Sequence, residues 1–187
     1  MKIFLTDQHH NFDQLLPGLI GQPVMKYDLT TLREKIDEIE LPTKKSPGEL
    51  DLDFLFNYKV FPPGIMSHRA QWIKEERMMK IGDTLLQQVF IPPLRHFSQK
   101  IIFGVRINAI FDEPLKRGYS YETLEGHVEK GMSIFTIEQR GGKTIFKIHS
   151  FSGPGTWLSA MMAPIFSLRY QAYCTRMALE NVRREIA

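Results

Sequence analysis

From Ile101 to Phe111 every second residue is apolar: Ile101, Phe103, Val105, Ile107, Ala109 and Phe111. A period of two marks a strand with one face turned inward. The alternate positions carry Arg106 and Asn108, so that face is expected to be the outer, more polar one. Strands are also predicted over Lys2–Thr6, Phe54–Phe61, Thr84–Ile91, Gly118–Leu124, Met132–Gln139 and Thr144–Phe151. Pro62-Pro63-Gly64 and Pro92-Pro93 stop two of them, since proline has no ladder donor. Gly82-Asp83 and Asp112-Glu113-Pro114 read as turns, and Arg140-Gly141-Gly142-Lys143 as a hairpin connection.

Elsewhere the period lengthens. Asp7 is placed to cap a short helix through about Leu16, closed by Pro17-Gly18. Thr31-x-x-Glu34 has the form of a capping box, and Leu29, Leu32, Ile36 and Ile39 follow helical spacing, predicting a second short helix. Arg69–Lys80 fits an irregular strand or a short helix equally. Leu41–Asp53 reads as a loop. Neither side of it carries enough apolar mass to stand alone, so residues 1–187 are expected to form a single domain. After Gly153-Pro154-Gly155, the residues Leu158, Met161, Ile165, Leu168, Ala172, Leu179 and Val182 recur at three- and four-residue steps with one wider gap. This predicts a terminal helix of about 29 residues, roughly 44 Å long, kinked at Pro164. The order of elements is that of an α+β fold, with a long amphipathic helix available to cover one face of an antiparallel sheet.

Composition adds little to this picture. Hydrophobic residues make up 43% and charged residues 24%, which is ordinary for a soluble globular chain. A net charge of +3 is too small for a dedicated nucleic-acid binder. No apolar run approaches the roughly 20 residues of a membrane span, and Met1–Thr6 has no signal-peptide pattern. Cys174 stands alone, which suits a reducing, cytoplasmic setting.

Candidate chemistry concentrates between Arg117 and Gly131. Alternation puts Tyr119, Tyr121 and Thr123 on one strand face and Ser120, Glu122 and Leu124 on the other. Glu125-Gly126 breaks the strand. His127 and Glu129, two apart, project together if the chain is extended there. Two readings stand side by side. These groups are polar anchors in a pocket, with His127 and Glu129 able to move a proton; or the tyrosines are half-buried strand residues and His127 and Glu129 brace a loop. Glu125, His127 and Glu129, with His149 from a nearby strand, form only a partial metal-ligand set. With no HExxH and no cysteine set, no metal and no cofactor is expected. His9, His10 and Asp13 read as capping and surface residues. Gly142-Lys143-Thr144 resembles the end of a phosphate-binding loop, but that motif needs glycine where Ile137 stands. Ser120, Ser133, Ser150 and Ser152 lack a nucleophile-elbow context, and Cys174 reads as a core residue. Trp72 and Trp157 either wall a pocket or anchor ends of the fold.

The run Gly-Tyr-x-Tyr-x-Thr-Leu-x-Gly-His-x-Glu-x-Gly over residues 118–131 resembles the signature of domain-of-unknown-function family nineteen-ninety, found in bacteria and plants and grouped with the START-like, birch-pollen-allergen-like helix-grip proteins. Phe61-Pro62-Pro63, Phe151-Ser152, Pro154, Trp157 and Leu158 agree with it. Met132 and Gly153 depart from it, standing where the family commonly has Glu and Arg. The resemblance implies a curved antiparallel sheet wrapped on a long C-terminal helix, two short helices near the N-terminus, and a cavity between sheet and helix. It implies no activity. The preferred expectation is a domain that binds a small hydrophobic or amphipathic molecule, oriented by Tyr119, Tyr121, Thr123, His127, Glu129 and Trp157. The alternatives are an enzyme using His127 and Glu129 for acid–base chemistry, and a packed interaction protein with no open pocket.

Overall fold

The computed structural model describes residues 2–91, 98–155 and 168–187. Trp157, Pro164 and the first part of the predicted terminal helix lie outside them. The frame is an antiparallel sheet in the order β2-β8-β7-β6-β5-β4-β3. Its strands are β2 (Arg33–Glu40), β3 (Met66–Ala70), β4 (Thr84–Ile91), β5 (Gln99–Glu113), β6 (Lys116–Thr123), β7 (Glu129–Arg140) and β8 (Lys143–Pro154). The strand β1 (Lys2–Phe4) pairs with the first half of β5, on the edge whose second half pairs with β6.

The alternation read along β5 holds as far as Ile107; a β-bulge before Ala109 then reverses it, so that Ile110, opposite Tyr119, packs on the main core in place of Ala109 and Phe111. Val105 and Ile107 are fully buried, facing the main core with Leu85, Tyr119, Phe135, Ile137, Phe146 and Ile148. The opposite face is not solvated as expected. Helix α1 (Phe12–Ile20) lies across it, packing Phe12 and Leu16 on Leu86 and Ile102. Gly104 admits this layer: a Cβ there would sit 2.8 Å from Leu124 and 3.3 Å from Leu19. Arg106 is therefore not a surface charge. Its guanidinium donates to the carbonyls of Ile20 (2.7 Å), Gln22 (3.1 Å) and Leu19 (3.4 Å), the groups a helix C-terminus leaves unpaired.

Helix α1 also runs through Pro17-Gly18 rather than ending at Leu16. Proline costs the bond its amide would make to the carbonyl of Asp13. Lys74 supplies the missing donor, its Nζ lying 3.2 Å from that oxygen.

The second predicted helix is a strand. Residues 33–40 pair along their whole length with β8, and the charges that suit an exposed helix face instead tie this edge strand to the β7–β8 hairpin: Glu34 to His149 (2.7 Å), Glu38 to Arg140 (2.7 Å) and Glu40 to Lys143 (2.6 Å). Thr31 and Glu34 form no capping box; a 3-10 turn over Leu29–Thr31 is capped by Asp28 instead. The predicted strand at Phe54–Phe61 is also corrected. It is a short helix, α2 (Asp53–Phe56), followed by turns in which Tyr58 adopts a φ of 57° and is fully buried. The ambiguous stretch after Arg69 divides into the end of β3 and a helix, α3 (Gln71–Lys74).

The last element, α4 (Leu168–Glu185), packs against β2 and β8 on the core side. Ala178 and Val182 enter the core, with Leu179 beside them. Sheet, inner helix and the α2 segment together make the α+β helix-grip arrangement. Among the described residues no helix is long and apolar enough to cross a membrane.

Candidate functional site on the inner face of the sheet

Strand register sorts the inner face into rows. One row runs Asp37, Ile148, Phe135, Tyr119, and the next Lys35, Ser150, Ser133, Tyr121. The first is apolar at its centre and the second is hydroxyl-bearing, so polarity changes over one step along the strands. Two residues further along β7 comes Gly131, and two beyond that Glu129, on the same face as Ser133.

The candidate residues separate on this map. Tyr119 is fully buried in the apolar part, stacked on Phe135 at 5.5 Å and close to Tyr58 at 6.2 Å, and its hydroxyl has no hydrogen-bond partner among the described residues. It is a core residue. Tyr121 is half-buried, and its hydroxyl joins a network with Tyr58, Gln87 and Ser133; Gln87 also donates to the hydroxyl of Tyr58. Burial is the main reason that all these phenols are held in the neutral form. Thr123 is buried and occupied by the backbone of Gly131, accepting from its amide at 3.0 Å and donating to its carbonyl at 3.3 Å.

His127 lies in the turn after β6 and is buried against Phe103, ring centroids 3.9 Å apart. Its Nδ1 accepts from the amide of Glu129 at 3.0 Å, which puts the remaining proton on Nε2. Desolvation pushes its pKa down to about 3, so the ring is neutral at physiological pH and braces the loop. Glu129 behaves in the opposite way. It is half-buried, and burial raises its carboxyl to about 7. One oxygen accepts from the side-chain amide of Gln171 on α4; the other takes no hydrogen bond from the described residues. Of the two groups proposed for proton transfer, only Glu129 titrates near neutrality.

Much of the 118–131 run is thus backbone engineering. A Cβ on Gly118 would sit 2.0 Å from the carbonyl oxygen of Phe135, and one on Gly131 would sit 1.9 Å from that of Phe151. Leu124 is fully buried under α1's layer. Glu125 is exposed, and His149 lies on the outer face with Glu34, so the partial metal set does not converge. Among the described residues no cluster of His, Cys, Asp and Glu is arranged to hold a metal ion. His68, half-buried, is pushed down to about 4 by desolvation and rests on the carbonyl of Asn57 at 3.1 Å.

Sequence reasoning missed Tyr58, Gln87, Ser133 and Gln171 as site residues. Gln87 carried a readable signal, being a glutamine between Leu85 and Val89 on an otherwise apolar strand face. Gln171 carried none, because its contact with Glu129 joins residues 42 apart.

The fold is shared with solved structures of low sequence identity. Major latex-like protein 151 from Panax ginseng has a TM-score of 0.58 at 12% identity, over 83% of this chain and 97% of its own. Protein Ms6760 from Mycobacterium smegmatis has a TM-score of 0.53 at 13% identity, over 88% and 98%. A Dictyostelium discoideum UPF0548 protein is 37% identical over 78 residues, which are 35% of this chain and 36% of that protein, so the match spans about a third of its length. The family model described as Domain of unknown function (DUF1990) matches residues 52–180, well over half of the chain. With α2, the sheet from β3 onward and most of α4 inside that match, the chain belongs to the DUF1990 family.

Proposed function

We propose that the protein binds a small amphipathic molecule between the inner face of the sheet and α4. The observation that carries this reading is the hydroxyl-bearing row ending in half-buried Tyr121, with the half-buried carboxyl of Glu129 beyond it, on a face otherwise built of apolar side chains. A protein interior gains nothing from placing a carboxyl there without a charged partner. A ligand site does, because a few polar groups in an apolar wall fix orientation. Tyr121, Glu129 and Ser133 contact the ligand in this reading. Tyr119, Thr123 and His127 hold the wall in place. The setting is the reducing cytoplasm, in keeping with the single cysteine.

Native mass spectrometry of protein from its own host tests this. A co-purifying small molecule is expected, lost in Ser133→Trp, which fills the polar row. A molecule retained equally by that variant would place binding elsewhere.

A second reading is favoured by one fact: a carboxyl near 7 is tuned for general acid–base work. In an enzyme of this design, Glu129 moves the proton and His127 does not. Its pH–rate profile would turn near pH 7 and flatten in Glu129→Gln.

A further inference from the structure

We propose that the ligand of this site is an amine, a positively charged nitrogen on an apolar or aromatic body, with Glu129 as its counter-ion. This rests on the binding reading above and narrows it to one class of head group.

The argument begins with what surrounds the carboxyl. On its own strand, the inward neighbours of Glu129 are Gly131 and Ser133. Lys130 projects to the other face, its Cε 3.8 Å from where a Cβ on Gly153 would stand. From β6 come Tyr121, a neutral phenol, and Thr123, already occupied by Gly131. The preceding turn offers His127, which is neutral and has its Nδ1 engaged by the Glu129 amide. From α4 comes the neutral amide of Gln171. On β2, Lys35 shares the hydroxyl row and is paired with Asp37 at 2.7 Å. Every described group that faces Glu129 is uncharged, and the described cations nearest in register are turned away or already paired.

An ionised carboxylate in such a place costs several kcal/mol unless a cation joins it. Here the described residues supply a hydrogen-bond donor and no charge. A ligand ammonium supplies the missing charge and reaches the oxygen that Gln171 leaves open. The remaining groups suit the same head group. Hydroxyl oxygens of Ser133, Ser150 and Tyr121 accept from N–H, and the half-buried ring of Tyr121, 5.5 Å from Phe135, offers an aromatic face to a cation. A carboxylate ligand would meet Glu129 as a like charge. A neutral alcohol would leave it unpaired.

The test uses one apolar body with three head groups: phenylbutylamine, phenylbutanol and phenylbutyrate, titrated into the full chain by calorimetry at about pH 8, where Glu129 is ionised. The amine is expected to bind at least tenfold tighter than the alcohol, with the acid weakest. In Glu129→Gln, checked by circular dichroism for an unchanged fold, the amine loses its advantage and binds no tighter than the alcohol. Equal binding of amine and alcohol, tighter binding of the acid, or an amine preference that survives in Glu129→Gln overturns the assignment while leaving the site itself standing. Absence of binding by all three probes, with no small molecule co-purifying from the host, removes the site and the assignment together.

Discussion

The side-chain amide of Gln171 donates to the carboxyl of Glu129, joining the C-terminal helix to the first residue of β7. It is a polar clasp at one end of an interface that is apolar at the other, where Ala178 and Val182 enter the core. The clasp ties the helix to a carboxyl whose pKa burial has raised.

Stability should therefore depend on pH through Glu129. Its folded pKa of about 7 lies above the ordinary 4.5, so the folded chain binds a proton that the unfolded chain has released. Stability from this group is full below about pH 4.5, falls as pH rises, and is lost once pH passes about 7. Glu129→Gln should gain about 1–2 kcal/mol at alkaline pH, an amount reduced for partial solvent access, and nothing in acid. Urea denaturation at both ends of the range measures the difference.

His127 should behave with the opposite sign. Its folded pKa of about 3 lies below the ordinary 6.5, as does that of His68 at about 4. Stability from keeping both rings neutral is full above pH 6.5 and falls as pH drops. Nitrogen NMR at about pH 5 should find His127 uncharged, with its proton on Nε2. His127→Ala should cost about 1–3 kcal/mol in urea denaturation, since it strips the Glu129 amide of its acceptor.

Glycine positions divide sharply. At Gly131 an added Cβ meets the Phe151 oxygen at 1.9 Å, with φ at +140°; at Gly118 it meets the Phe135 oxygen at 2.0 Å, with φ at +152°. Alanine at either should cost more than about 3 kcal/mol or prevent folding. At Gly141 the space is open and only the φ of +59° resists, so alanine there should cost about 1 kcal/mol. Thermal unfolding of the three variants compares them directly.

Arg106→Met should loosen α1. Loss of its bonds to Leu19, Ile20 and Gln22 is expected to cost about 1–3 kcal/mol. Amide exchange should quicken in residues 12–20 well before it does in β4 or β5, because α1 sits on the outside of the sheet.

What the sequence revealed was the local part of this design. Strands β5 to β8 were legible from alternation along much of their length and β4 as an apolar run between turn residues, although α1 covers the second face of β4 and β5; Tyr119, Tyr121 and Thr123 were placed on one face by the alternation. Residues 33–40 were misread because Leu32, Ile36 and Ile39 satisfy helical spacing while the deciding partner, β8, lies more than a hundred residues away. Tyr58 was misread because its buried turn uses a backbone angle that side chains seldom adopt. For the site, spacing placed His127 and Glu129 together but not their division of labour. That follows from what covers each ring or carboxyl, and the covering residues come from distant segments.

The two crowded glycines have a consequence for assembly. Neighbouring strands could in principle slide by one residue, which would turn Tyr119 and Tyr121 outward and bring Ser120 and Glu122 in. In that shifted alignment the carbonyls of Phe135 and Phe151 would each face a residue that carries a side chain. Gly118 and Gly131 thus act as notches on successive strands, admitting one alignment and rejecting its neighbours.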